Sequence, residues 1–212
     1  MLKKLVVGAG VALTAMCSPI AIGAGVAAAA PPPVTLSGAI NCNATGHMTF
    51  SQALTNSDPS AQVTVSVKVK LAKCTGPGTI SGPVTLTHGT LVGTSTSTML
   101  NACGTISSGT PVPTITGTIN WKGSKGSITS SAVTIQNATG FYDQGANELH
   151  IGLPTSIGTG SFAGQSTSFT GLDSNKSGYV VTSTCSSKKG LKNIPFGRPS
   201  GSITGSLAIV GG

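Results

Sequence analysis

The stretch QVTVSVKVKLAKC, Gln62 to Cys74, alternates apolar and polar residues almost without interruption. Val63, Val65, Val67, Val69 and Leu71 share one parity, and Gln62, Thr64, Ser66, Lys68 and Lys70 share the other. Successive side chains of an extended strand point to opposite faces, so this period of two places the five aliphatic residues on one side and the lysines on the other. A helix, with its period of 3.6, would scatter them around its circumference. The β-branched valines suit the extended backbone. Burying each aliphatic side chain contributes about 1.5–3 kcal/mol before conformational entropy is subtracted. A slip of one residue would bury two lysines, so the register is strongly fixed. The segment reads as a purely structural core strand with a solvated outer face; an exposed lysine pair that recruits an acidic partner is the alternative.

The same kind of pattern recurs along the chain. Strands are expected over 34–41, 47–54, 62–73, 84–97, 113–121, 127–136, 147–153, 160–171, 178–185 and 201–210. Turn residues separate them, as in GPG (76–78), KGSKG (122–126), YDQGAN (142–147) and DSNKSG (173–178). The best helical candidate is the short TSTSTMLNA before Cys103. Many short strands with frequent turns predict an all-β fold. The expected architecture is a two-sheet antiparallel sandwich of Greek-key type, with a closed barrel as second choice. Only 8% of residues are charged and 4% aromatic, but the regular valine alternation argues for a packed sheet and against disorder.

The first 29 residues have the layout of a secretory signal peptide. Lys3 and Lys4 precede the apolar run Leu5–Met16, and small residues lead to AAAAPPP. Cleavage after Ala29 places alanine at the two positions that the peptidase reads, with Pro31 one step beyond the new terminus. The apolar run is short for a membrane span, and Met16 is too large for a lipid-attachment signal at Cys17. The expected organisation is a signal peptide at 1–29, a proline-rich segment at 30–33 and a single domain at 34–212. The mature chain of roughly 180 residues is long enough to bury a core of its own. It retains Cys42, Cys74, Cys103 and Cys185, an even number that points to disulfides and an oxidising compartment. The expected location is secreted or at the cell envelope.

Several stretches follow one another in an order that resembles a family of uncharacterised secreted, β-rich proteins of actinobacteria. They are a cysteine with Gly46 and MTF shortly after it, a Leu-Thr-Asn segment, the valine strand, KCTG, TGTINWKG (116–123), GSFAG (160–164) and CSSKKGLKNI (185–194). The resemblance implies an exported β domain with two disulfides and no established activity.

Four cysteines allow three pairings. Cys42–Cys74 with Cys103–Cys185 is preferred, because the first joins neighbouring strand ends and the second ties the middle of the chain to a late strand. Loops of these sizes stabilise by about 3.7 and about 4.6 kcal/mol in the loop-entropy account. Cys74 has the parity of Lys68 and Lys70, so an unbroken strand would turn it outward. Either a bulge near Ala72 and Lys73 or a disulfide on the outer face is therefore expected.

The chain is poor in catalytic residue types. Its four acids are Asp58, Asp143, Glu148 and Asp173. Only DQGANELH brings two of them near a histidine, His150, and it reads as a solvated turn. DSNKSG copies the first half of a calcium loop, but Thr184 stands where a bidentate acid is needed. GTGSFAG lacks the spacing and the following helix of a phosphate loop, and no G-x-S-x-G elbow occurs. His47, His88 and His150 lack metal-ligand spacing in sequence. Lys188, Lys189, Lys192 and Arg198 are too few for a nucleic-acid face and read as a solvated loop. No catalytic, metal or cofactor-binding residue is assigned, and the four cysteines are the only site residues. The expectation is a non-enzymatic binding or structural protein whose partner is an envelope polymer, a lipid or a protein, with nucleic acid disfavoured. A hydrolase with an unrecognised site is the alternative, and Trp121 on an exposed face would favour binding.

Overall fold

The computed structural model describes residues 30–56, 60–75, 84–101, 103, 111–143, 148–170, 173–174, 183–197 and 205–210. The segment 1–29 expected as a signal peptide, with Cys17, and Asp58, Arg198 and the GPG expected as a turn at 76–78 lie outside them. The strands are β1 (Ile40–Leu54), β2 (Gln62–Val63), β3 (Val65–Thr75), β4 (Leu86–Ser95), β5 (Met99–Leu100), β6 (Ile115–Gly123) and β7 (Ser131–Ile135). They continue with β8 (Thr139–Asp143), β9 (Glu148–Gly152), β10 (Thr155–Gly160), β11 (Ser166–Thr170), β12 (Asp173–Ser174), β13 (Leu191–Phe196) and β14 (Gly205–Val210). The all-β, antiparallel class is as the alternation predicts.

Nine strands form the large sheet, in the order β13-β1-β14-β11-β10-β7-β6-β4-β3. β1 is paired along both edges, with β3 on one side and with β14 and then β13 on the other. The sheet is therefore strongly curled, and its inward side chains meet in one core. β12, β9 and β8 form a small second sheet, and β2 pairs with β5. Apart from β13, the strands of the large sheet follow one another around it in chain order. Consecutive strands of this sheet are thus lateral neighbours, as in an up-and-down meander, where Greek-key crossings were expected, and the minor strands sit in the connections: β5 between β4 and β6, and β8 and β9 between β7 and β10.

The opening alternation is realised residue by residue. Val65, Val67, Val69 and Leu71 are fully buried, and Lys68 and Lys70 are exposed. The facing core is built from Ile115, Ile119 and Trp121 of β6, Val133 and Ile135 of β7, and Phe50 of β1. Gly89 of β4 lets the Trp121 ring lie against the backbone, since a Cβ there would sit 2.7 Å from it. Trp121 is 4% exposed, so it belongs to the core and not to a binding face. Its Nε1 donates to Ser131 Oγ at 2.7 Å, and Ser131 Oγ donates to the Ser161 carbonyl. Ser161 Oγ in turn accepts from Leu36 N at 3.0 Å, which holds the N-terminal segment against the core. Phe162 packs edge-on against Trp121 with ring centroids 5.3 Å apart.

Several boundaries differ from the sequence expectation. The segments 34–41 and 47–54 are joined by β1, which runs unbroken from Ile40 through Cys42 to Leu54. Pairing on both edges keeps the backbone extended through the residues between them. The single strand expected over 160–171 is instead a hairpin, with a turn at 161–164 between β10 and β11. Positive φ at Gly160, Phe162 and Gly164 reverses the chain there. In TSTSTMLNA, Thr94 and Ser95 end β4, and residues 96–100 form bends and β5 in place of a helix, as suits the threonines and serines. Cys185 lies in a helical turn, 183–186, where a strand end was expected. β13, in the segment LKNIPF, was not anticipated, because its lysine and proline mask the inward Leu191, Ile194 and Phe196.

Both disulfides have the preferred pairing, Cys42–Cys74 and Cys103–Cys185, with Cα separations of 4.0 and 5.7 Å. Asn41 pairs with Thr75 and Asn43 with Ala72, so β3 carries one residue more than β1 at this point. Lys73 has φ 50°. This is the bulge that the parity of Cys74 required: the extra residue breaks the alternation and turns Cys74 toward the buried Cys42. Around the second disulfide, Asn56 Oδ1 accepts from Cys103 N at 3.3 Å and Asn101 Oδ1 from Thr55 N at 2.9 Å.

Candidate binding cleft

The outer face of β1, β3 and β4 forms an open cleft of about 580 Å³, lined by Thr45, His47, Lys68, Lys70, His88 and Thr90, with Gly46 and Phe196 bordering it. Three strands place these side chains, each by the parity rule that buries its neighbours. On β3, Lys68 and Lys70 point out between Val67, Val69 and Leu71. On β1, His47 is opposite Lys68 and Thr45 is opposite Lys70. On β4, Thr90 is opposite Lys70 and His88 is opposite Ala72. Gly46 is required between Thr45 and His47, because a Cβ there would meet the Lys68 carbonyl oxygen at 2.3 Å and the Phe196 ring at 2.9 Å.

The lining consists of cations, imidazoles and hydroxyls. No carboxylate is among its described residues, and neither lysine is held in an ion pair there. His88 is oriented by Thr87, whose hydroxyl lies 3.0 Å from Nδ1 and donates to the Lys122 carbonyl at 2.9 Å. A hydroxyl has one proton to give, so Nδ1 carries the hydrogen of the imidazole–threonine bond. Lys122 is itself exposed on β6 and pairs with His88 in register. The basic surface thus continues past the cleft onto a fourth strand.

The structure brings His47 and His88 to one cleft but leaves His150 on the small sheet. Among the described residues no group of three or more metal-ligating side chains forms. In the small sheet, β8 pairs with β9 so that Asp143 is opposite Glu148, and β12 pairs with β9 so that Asp173 is opposite His150. The proximity of Asp173 to His150 had no local signal, since 23 positions separate them. Asp173 and Ser174 are in a strand, where the calcium-loop and turn readings both placed a loop. No helix follows GTGSFAG, and β11 comes next. Lys188 and Lys189 are exposed on a turn, whereas Lys192 lies on β13 and its Nζ donates to the Ser51 carbonyl. The lysine pair on β3 was legible in the sequence, but the two histidines that join it were not.

Comparison with protein-family models, with curated proteins and with solved structures gives no match to this chain.

Proposed function

We propose that this chain is an exported, non-enzymatic binding protein that works at the cell envelope or outside the cell. The single observation that carries the reading is the cleft of Lys68, Lys70, His47 and His88, which offers positive charge and hydrogen-bond donors without a carboxylate beside them. Glycoside hydrolysis uses a pair of carboxylates, and none is among the described residues of this lining. Two intramolecular disulfides fit an oxidising compartment. The test is retention of the oxidised mature protein on isolated envelope material, compared between the native chain and a Lys68→Glu/Lys70→Glu double variant. Retention that is lost in the variant, with the captured material chemically unchanged, supports the reading. Equal retention of both proteins removes the cleft from it.

A secreted hydrolase is the second reading, favoured by the register that sets Asp173 against His150 and Asp143 against Glu148. Asp143→Asn, Glu148→Gln and His150→Ala variants are expected to fold and to keep the biological activity. Loss of a hydrolytic activity in any of them, without unfolding, decides for the hydrolase.

A further inference from the structure

The basic residues of the outer face form a diagonal track and not a compact nest. His47 on β1 stands beside Lys68 on β3, and Lys70 follows two residues along. His88 on β4 is opposite Ala72, two residues further again, and Lys122 on β6 is opposite His88. From His47 to Lys122 the track crosses three strand spacings and advances four residues. With strands ~4.8 Å apart and a rise of ~3.3 Å per residue, it spans on the order of 20 Å. One small anion cannot touch both ends.

Building on the binding reading above, we propose that this track binds a linear phosphodiester polymer that carries no aromatic bases. Charge complementarity makes the ligand anionic. Its donors are lysine ammonium groups, imidazoles and threonine hydroxyls arriving from separate strands. Point donors converging from several directions suit the tetrahedral oxygens of a phosphate, which lysine binds as a point charge, and no guanidinium fork is among the described residues that line this cleft. Nucleic acid is disfavoured because single strands are held by stacking on exposed aromatic rings. The described aromatics of β6, β1 and β13, Trp121, Phe50 and Phe196, are 4%, 0% and 0% exposed. A lipid surface is disfavoured because, among its described residues, the face presents one large exposed apolar side chain, Val92, opposite Lys68.

The experiment uses the oxidised mature chain and a glycerol-phosphate oligomer long enough to span the track, with binding followed by calorimetry. Inorganic phosphate, an oligogalacturonate of equal charge and an oligothymidylate serve as comparison ligands. The glycerol-phosphate oligomer is expected to bind most tightly. Lys68→Gln, Lys70→Gln and Lys122→Gln should each weaken it roughly five- to tenfold. Each should also reduce the slope of log affinity against log salt by about 0.7–0.9. Lys188→Gln/Lys189→Gln should change neither quantity. All three track lysines are exposed, so the variants should melt with the native protein. The inference is overturned if inorganic phosphate binds as tightly as the oligomer, if the oligogalacturonate or the oligothymidylate matches it, or if the three variants leave affinity unchanged. Those outcomes leave the broader binding reading standing. Cleavage of the oligomer by the protein would instead overturn the non-enzymatic reading.

Discussion

Cys42 and Cys74 are opposed across the β1–β3 ladder with their Cα atoms 4.0 Å apart, at the one place where β3 has a residue more than β1. The bulge and the disulfide explain each other. Without the extra residue Cys74 would point outward with Lys68 and Lys70, and without the bridge nothing would favour interrupting a well-paired ladder. Non-reducing peptide mapping of the mature protein should find Cys42–Cys74 and Cys103–Cys185, with no alkylatable thiol. A Cys42→Ser/Cys74→Ser variant should lose about 3–4 kcal/mol of stability in urea titration. A Cys42–Cys103 or Cys42–Cys185 cross-link in the native protein would refute the pairing.

Lys73 holds the bulge in the left-handed region, with φ 50°. Glycine occupies that region without steric cost, whereas a β-branched residue strongly resists it. Lys73→Gly should therefore be neutral or stabilise by up to ~1 kcal/mol, and Lys73→Val should destabilise by about 1–2 kcal/mol. Urea midpoints measured on the oxidised protein distinguish the two. Equal destabilisation by both substitutions would show that the lysine side chain, and not the backbone, sets the bulge.

Gly89 and Trp121 should behave as a coupled pair. Gly89→Ala places a methyl group 2.7 Å from the indole and is expected to cost about 1–3 kcal/mol. Trp121→Phe removes the Nε1 donor from Ser131 and opens space, at a similar cost. In the double variant the methyl group fills part of that space, so the combined loss should be smaller than the sum of the two. Additive losses would mean that the indole does not press on Gly89.

The exported protein should begin at Ala30. Ala27 and Ala29 are small, and Pro31 is not the residue directly after the cut. N-terminal sequencing of the major extracytoplasmic form is the direct check. Recovery of Met1, or of an acylated Cys17, would show a retained or lipid-anchored chain.

The sequence by itself determined what depends on neighbours along the chain. The period of two in Val63–Leu71 fixed a strand, its buried face and its outward lysines. The parity of Cys74 demanded a bulge near Ala72 and Lys73, and the even cysteine count fitted two disulfides. Local patterns failed where a tertiary partner overrode them. β1 stays extended through Asn-Cys-Asn and Thr-Gly because strands pair with it on both edges. Residues 161–164 turn back, and the lysine-bearing LKNIPF becomes β13 because its inward residues complete the core. The cleft was half legible for the same reason. Lys68 and Lys70 are neighbours on one strand, whereas His47 and His88 are brought to them only by the lateral register of β1, β3 and β4. That register is set by hydrogen bonds and buried packing between segments far apart in sequence. No periodicity within a single segment encodes it.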